Sequence, residues 1–339
     1  MSGRDARIDV AKGVLIILVV IGHFLEISMG RSIGGDPSGW SYEPQRFLLT
    51  TIYLAHIPLF VFLVGTTAKS DHLPERIARL LVLGVTLHVG YVVALRIIAG
   101  HWVAQAWTSP YWVLWFIASM IWWMLALPLI ERAPRCALGL SVLGVAVVGM
   151  APLHGNIAAY SRTVVYLPFF ILGHLYGRRL VHATGRLSAY WRAAAAAGLI
   201  ALALLVWRHD IDPHWIFGNQ TFEQLSSGTL AGVVTRLELL VLTLAAALCL
   251  LCLIPAGSRL FETPGRHSLS IFLLHPIAVL AYQRIDGPWG PGTHDSVTQA
   301  IVAIALALLV VTVLTATIFD RALRRYSGGV AARLVPARR

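Results

Sequence analysis

The hydrophobic positions of this chain are grouped into long apolar runs, without the strict alternation that is typical of half-buried strands. These runs have the roughly 17–25 residues that a helix needs to cross a bilayer core, and short polar links with Pro or Gly separate them. The runs lie at roughly 10–28, 47–67, 77–99, 111–130, 136–153, 162–178, 190–208, 229–254, 268–284 and 298–319. The pattern predicts an all-α polytopic membrane bundle of about ten transmembrane helices, with a membrane domain over 1–320 and a basic cytoplasmic tail over 321–339.

The composition supports a membrane protein, and it argues against a nucleic-acid-binding protein and against a protein held together by zinc or disulfides. Of the 339 residues, 57% are hydrophobic and 13% are charged, whereas about a quarter are charged in a typical soluble domain. The net charge of +11 does not indicate nucleic-acid binding, because the Arg residues lie in short links and form no continuous basic face. Cys136, Cys249 and Cys252 have no His or Cys partners at zinc-type spacing, so we expect no disulfide and no metal. We also expect no tightly bound cofactor.

The basic residues predict an orientation. If the amino terminus is cytoplasmic, the inner links and the tail hold 20 of the 27 Lys and Arg residues, the outer links hold six, and Arg236 is left inside a span. This asymmetry is what the positive-inside rule describes. We therefore expect a multi-pass protein of the inner (plasma) membrane with both termini in the cytoplasm, in which the outer links 29–46 and 209–228 could line a mouth. The first run lacks a clear cleavage site after it, which favours an uncleaved span over a signal peptide.

The first run, IDVAKGVLIILVVIGHFLE (8–26), carries polar groups on one face. Lys12 and His23 are separated by three helical turns, which places them about 16 Å apart along one side; Asp9 shares that side, and Glu26 follows His23 by three residues. Charged groups within a span usually face the bundle interior, so the spacing indicates a polar stripe across the bilayer. In the alternative interpretation, Lys12 is an interfacial anchor and His23 makes a hydrogen bond between helices.

The combination of Lys12, ten further residues and His23 resembles the first-helix signature of the acyltransferase 3 family of integral membrane O-acyltransferases, in which Arg is more usual at the first position. Lys keeps the charge and loses the planar fork of Arg. Further blocks resemble the family in order over about residues 4–320, and the pattern is similar to the branch of fucose 4-O-acetylases and glucan-modifying succinyltransferases. They are HIPLFVFLVG (56–65), RIARLL (76–81), YWVLWFI (111–117), YLPFFILGHLYGRR (166–179) and GRHSLSIFLLHP (265–276).

The resemblance implies an enzyme that moves an acetyl, succinyl or similar short acyl group from cytoplasmic acyl-CoA to a hydroxyl of a cell-envelope glycan or glycolipid at the outer face. The high Arg, Ala and Gly usage indicates a bacterial source. The resemblance also implies that Lys12 holds the donor. His23 is then the candidate general base, since a neutral imidazole can take the proton of the attacking hydroxyl. From its spacing alone, we interpret Glu26 as a second catalytic residue that orients the imidazole. Direct transfer and a transient acyl-His23 both stay open.

Other polar residues are candidates for binding the two substrates. Arg76 and Arg79 begin the third span on the inner side, as clamps for CoA phosphates or as simple positive-inside anchors. Candidates for the acceptor region are Arg236, Glu238, Trp115 and His275. In the alternative interpretation, each of them is a packing or interface residue. We expect His56, His88 and His174 to be hydrogen-bonded interior histidines.

A transporter of a lipid or small metabolite is the alternative function, because many spans and a polar stripe suit it as well. The sequence shows no paired halves with matching broken helices, which transporters often have. The expected partners are acyl-CoA, a glycan or glycolipid acceptor and membrane lipids, with no nucleic acid. The sequence leaves the oligomeric state open.

Overall fold

The computed structural model of the protein describes residues 5–28, 43–100, 108–151, 157–285 and 296–335. Within these ranges the chain is helical and contains no β-strand. The helices are α1 (Ala6–Ser28), α2 (Glu43–Thr67), α3 (Leu73–Ala99), α4 (Trp115–Arg132), α5 (Pro134–Val147), α6 (Tyr160–Thr184), α7 (Ala189–Arg208), α8 (Pro213–Phe217), α9 (Thr229–Leu253), α10 (Arg259–Arg266), α11 (Ser268–Tyr282), α12 (Ser296–Leu314) and α13 (Thr317–Leu334). Most of the outer link predicted at 29–46 lies outside the described residues.

The predicted all-α membrane architecture is confirmed, and the count of ten spans is not settled. Each of the ten predicted runs coincides with a helix. Seven helices in the described ranges are long and apolar enough to cross a membrane, namely α1, α2, α3, α4, α7, α9 and α12. Of the other three, α5 and α11 are shorter apolar helices, and α6 has 25 residues but a more polar composition.

The last predicted span ends earlier than the sequence suggested. Helix α12 stops at Leu314, and the extended backbone of Ala316 separates it from α13. Helix α13 is amphipathic because its basic residues recur at helical spacing, and it packs against α3 and α11. The predicted boundary at residue 320 therefore falls within a helix.

Helix α1 lies at the centre of the bundle, with α2, α10, α11 and α12 against it. Its contact with α10 is made by backbone: a Cβ added at Gly13 would overlap the Phe261 carbonyl oxygen, and one at Gly265 would overlap that of Asp9. Small residues permit this close approach between membrane helices. The packing fixes the rotation of α1 about its axis, and with it the direction in which its polar face points.

A second close approach joins α2 to α6. A Cβ added at Gly65 would overlap the carbonyl oxygen of Phe170, and one at Gly173 would overlap that of Phe62. The two helices thus interlock at paired glycines. This contact holds α2 against the bundle centre, where its side chains reach the polar face of α1.

Candidate active site

A cavity of about 100 Å³ lies between α1, α2, α4, α6 and α11, with α8 over one side. We call it the His23 cavity. Its lining is mostly aromatic with a few ionisable groups, among them His23, Glu26, Tyr53, Trp112, Trp115 and Arg162. Aromatic walls with a small number of convergent polar groups are typical of ligand sites.

His23 is paired with His275 of α11 across the cavity wall. His23 Nδ1 lies 2.8 Å from His275 Nε2, and His275 Nδ1 lies 2.9 Å from the carbonyl oxygen of Ile271. The two rings are stacked, with centroids 5.1 Å apart, and His275 is fully buried. The indole of Trp112 covers the His23 ring, with centroids 4.6 Å apart.

These contacts fix the tautomers of the neutral pair. A carbonyl oxygen only accepts, so His275 Nδ1 carries the proton and donates it to Ile271. His275 Nε2 is then an acceptor, and His23 Nδ1 donates to it. His23 Nε2 therefore keeps its lone pair and has no protein partner in the described part of the chain. The arrangement parallels a catalytic triad in which an imidazole replaces the carboxylate.

Glu26 lies in the same cavity beside Tyr53. The hydroxyl of Tyr53 donates to Glu26 Oε2 at 3.0 Å, and the Glu26 side chain is almost fully buried. The sequence predicts that Glu26 orients the His23 ring. In the structure, His23 Nδ1 is hydrogen-bonded to His275. The structure thus brings both residues of the proposed catalytic pair to one cavity and supplies an orienting partner from a helix 252 residues away.

Arg162 of α6 is a cation in the cavity wall, and it is one of the six basic residues that charge counting assigns to the outer links. Its Nε donates to the Phe217 carbonyl oxygen at 3.1 Å, and its guanidinium lies 5.0 Å from the centre of the Trp115 ring. Within the described residues its terminal nitrogens have no hydrogen-bond partner. A signal was available in the sequence, since Arg162 opens an apolar run in which a charge is costly.

Residues 213–220 form one wall of the cavity and are held by buried side chains. Arg236 of α9 donates from one terminal nitrogen to the Trp215 carbonyl oxygen at 2.6 Å and from the other to that of Gln220 at 3.1 Å. Tyr166 donates to the Ile216 carbonyl oxygen at 3.0 Å. Arg236 is only 2% exposed and does not line the cavity itself; it secures the segment that does.

The remaining acceptor-region candidates fall in different environments. Trp115 lines the cavity and stacks on Tyr166 with centroids 5.5 Å apart. Glu238 is exposed on the outside of α9, because two residues correspond to roughly 200° around a helix, and it is away from the His23 cavity. His56 also lines the cavity, with its Nδ1 2.6 Å from the Ile52 carbonyl oxygen.

A second cavity, of about 320 Å³, lies at the end of the bundle that carries Lys12. We call it the arginine cavity, because Arg76, Arg79 and Arg324 line it. Thr67 lines it as well, and Lys12 Nζ lies 3.5 Å from Thr67 Oγ1. The three residues predicted to bind the donor are therefore gathered at one cavity and its edge.

Phe60 of α2 and Phe116 of α4 lie between the stretches of these helices that line the two cavities, and with Phe272 of α11 they form a phenylalanine cluster. Phe116 contacts Phe60 edge-on with centroids 5.6 Å apart, and it contacts Phe272 at 5.3 Å. Helix α2 lines both cavities, with Ile57 at the His23 cavity and Val64 at the arginine cavity. Seven residues of helix span about 10 Å, so a flexible chain anchored in one cavity needs to cross only that distance to reach the other.

Comparison with known proteins identifies the family to which this chain belongs. The profile of the family described as an acyltransferase domain matches residues 5–320, nearly the whole chain. The nodulation protein NolL of Sinorhizobium fredii is 33% identical over 78 residues, which are 23% of this chain and 19% of that protein. The match therefore spans less than a fifth of that relative. No solved structure matches the chain.

Proposed function

This chain is a polytopic membrane member of the acyltransferase domain family, and from that premise we propose that it transfers a short acyl group, acetyl or succinyl, from acyl-CoA to a hydroxyl of a cell-envelope glycan or glycolipid. The observation that carries the proposal is the His23–His275 pair in an enclosed aromatic cavity. It supplies a base of defined tautomer beside a wall of aromatic rings.

In the proposed reaction, His23 Nε2 takes the proton of the acceptor hydroxyl while its oxygen attacks the thioester carbonyl. The new C–O bond forms, the tetrahedral intermediate collapses, and the C–S bond breaks. His23 then returns its proton to the departing thiolate, so that free CoA and the ester leave. His275 Nε2 stabilises the transient imidazolium by accepting from His23 Nδ1, as the third member of a triad does.

Arg162 is suited to stabilise the negative charge that develops on the carbonyl oxygen. Its Nε is engaged by Phe217, which fixes the plane of the guanidinium and leaves both terminal nitrogens to act as donors. A preorganised donor in a site of low dielectric is worth far more than one in water. The charge of Glu26 in the same cavity offsets that of Arg162 in the resting state.

The arginine cavity is the proposed donor site. Positive charge at this end of the bundle accords with a cytoplasmic location, where acyl-CoA is available, and Lys12 lies at the edge of this cavity beside Thr67. The phenylalanine cluster would have to admit the pantetheine arm, whose thioester must reach His23. On this view the enzyme lies in the plasma membrane with both termini in the cytoplasm.

The aromatic lining supports a sugar as the acceptor. Trp112, Trp115 and Phe217 present rings to the His23 cavity, and Asn219 and His214 add hydrogen-bonding groups at the same wall. Flat apolar rings pack against the C–H faces of a pyranose, while side-chain amides and imidazoles bond its hydroxyls. The segment 213–220 contributes three of these residues, so its anchoring by Arg236 shapes the proposed acceptor site.

The test is acyl transfer by purified protein in proteoliposomes, with radiolabelled acetyl-CoA or succinyl-CoA and extracted envelope glycan. His23→Gln should lower the rate by about 10²–10⁴-fold, the usual contribution of a general base. The matched control is His174→Gln, because His174 is half-buried and lies 3.7 Å from Glu131, away from the His23 cavity; it should transfer at the wild-type rate. Equal rates for wild type and His23→Gln would overturn the proposal.

Omitting the acceptor separates direct transfer from a covalent route. We expect no stable label on the protein, because the imidazole acts as a base. Label that persists on the wild type and is absent from His23→Gln would instead show an acyl-imidazole intermediate.

The same proteoliposomes distinguish the enzyme from a transporter. If a solute crosses the membrane in a His23-dependent manner and no acyl donor is consumed, the enzymatic proposal fails. Thioester consumption coupled to ester formation, without solute flux, supports it.

A further inference from the structure

Helix α13 places a third arginine in the arginine cavity, and this helix extends beyond residue 320, where the family match ends. It lies against α3, and the hydroxyls of Thr86 and Tyr326 are hydrogen-bonded at 2.8 Å. Ser327 is buried in the same contact and lines the cavity beside Arg324. The arginine cavity therefore has one wall that the family's sequence profile does not include.

Arg324 is oriented within its own helix. Its Nε lies 2.6 Å from Asp320 Oδ2, one turn earlier. Asp320 is largely buried, with 15% of its side chain exposed, whereas Arg324 is 56% exposed. The ion pair fixes the guanidinium on the Nε side, and within the described residues the terminal nitrogens have no other partner.

The charges around the cavity are of one sign. Arg76, Arg79 and Arg324 come from α3 and α13, and no side chain among the described lining residues carries a carboxylate. Three guanidinium groups around one space form a binding site for a ligand with several phosphates, since Arg bonds phosphate oxygens in a planar, bidentate manner. At about 320 Å³ the cavity has the size usual for a small-molecule site.

We propose that α13 is part of the donor site, and that Arg324, positioned by Asp320, binds the phosphates of the nucleotide half of acyl-CoA together with Arg76 and Arg79. The inference rests on the proposed function, because it assigns the ligand class of the donor cavity. Arg324 binds the ligand directly, and Asp320 is a positioning residue that acts through it.

Neighbouring residues on α13 provide a matched control. Arg325 is exposed, follows Arg324 directly and does not line the cavity. An arginine that merely anchors the helix at an anionic membrane surface would be equivalent at either position. Arg324 and Arg325 should therefore behave alike if α13 is only a basic surface helix, and differently if it forms the donor site.

The experiment measures the equilibrium binding of unacylated CoA to the full chain in nanodiscs of zwitterionic lipid, without an acceptor. Arg324→Ala should weaken binding by about 10–100-fold, the usual effect of losing charge-assisted bonds to phosphate, while Arg325→Ala stays within about twofold of wild type. Binding of pantetheine, which has no nucleotide, should be the same in both variants. Thermal unfolding of each variant shows that the bundle is intact.

Asp320→Asn tests the positioning role. It should weaken CoA binding less than Arg324→Ala does, and it should have no additional effect in the Arg324→Ala background, because residues that act as a unit are not additive. Additive losses would show that Asp320 acts independently of Arg324 and would contradict this assignment.

Two results would overturn the inference. One is equal CoA affinity for wild type, Arg324→Ala and Arg325→Ala; the other is a loss that is seen only in nanodiscs with anionic lipid, which would assign Arg324 to lipid headgroups. In both cases the proposed function survives if the wild type binds CoA and transfers its acyl group. Failure of the wild type to bind CoA at all would instead contradict the proposed function.

Discussion

The His23 cavity and the arginine cavity differ in size, charge and enclosure, although α2, α4, α6 and α11 contribute side chains to both. The His23 cavity, at about 100 Å³, is small and aromatic, and the His275 side chain bonded to His23 is fully buried. The arginine cavity is about 320 Å³ and presents guanidinium groups that are partly open to solvent. An enclosed site suits proton transfer, because fixed dipoles act more strongly where water is excluded. An open, charged site suits capture of an anionic ligand from water.

The difference predicts that variants at the two cavities will have separable effects. Changes in the His23 cavity should lower the transfer rate and leave donor affinity intact, since a residue that acts on the transition state alters kcat. Changes in the arginine cavity should raise the donor Kd and leave the rate at saturation nearly unaltered. The variants of His275 and Arg162 are expected to change the transfer rate and to leave donor affinity intact.

The largest effect is expected at His275. Replacement by Phe keeps an aromatic ring but removes the acceptor that fixes the His23 tautomer, so the transfer rate at saturating donor should fall by about 10²–10⁴-fold, as in triads that lose their orienting group. His275→Gln retains an acceptor and should recover part of the rate. The measurement is single-turnover transfer together with CoA affinity, which should be unchanged. A rise in the donor Kd without a change in the transfer rate would contradict this role, because it would assign His275 to donor binding.

Arg162 should have the next largest effect. Arg162→Leu removes the cation from the His23 cavity and should lower kcat by about 10²–10³-fold, the range seen when one oxyanion donor is lost, whereas Arg162→Lys keeps the charge and should lose less. Arg284 provides the control, because it is exposed at the end of α11, and Arg284→Leu should retain wild-type activity. If Arg162→Leu changes only the acceptor KM, Arg162 binds the acceptor and does not stabilise the oxyanion.

Two residues of α9 are expected to have smaller effects than His275 and Arg162. Arg236→Leu leaves buried carbonyl oxygens of the 213–220 segment without donors, at a cost of about 1–3 kcal/mol each, and it should lower the unfolding temperature and raise the acceptor KM. Glu238→Gln alters an exposed side chain on the other face and should change stability by less than about 0.5 kcal/mol. Thermal unfolding and acceptor titration check both variants. Equal effects at the two positions would contradict the role given to Arg236.

The sequence predicted the features that depend on a single helix. The spacing of Lys12 and His23 placed both on one side of α1, and the structure brings His23 to a cavity and Lys12 to the edge of another. The long apolar runs predicted the all-α membrane bundle in the same way, because hydrophobic length is a local property.

The partners of these residues could not be predicted, because they come from distant helices. His275 lies 252 residues from His23, and nothing in the periodicity of α1 or α11 indicates which faces meet. The sequence therefore suggested Glu26, the nearest carboxylate on the same helix, as the orienting group. Arg162 was missed for a related reason: charge counting assigns a terminal Arg to a link, whereas the structure turns its side chain into the cavity.

The most direct test of the proposed reaction is a structure of the His23→Gln variant, determined by electron cryo-microscopy with acetyl-CoA or succinyl-CoA and the glycan acceptor bound. A variant without the base should accumulate the complex of both substrates. We predict that the CoA phosphates lie among Arg76, Arg79 and Arg324. We also predict that the acceptor hydroxyl lies beside residue 23, about 3–3.5 Å from the thioester carbon, which is the distance of a near-attack geometry. A donor whose nucleotide occupies the other end of the bundle, or an acceptor bound outside the His23 cavity, would contradict these predictions.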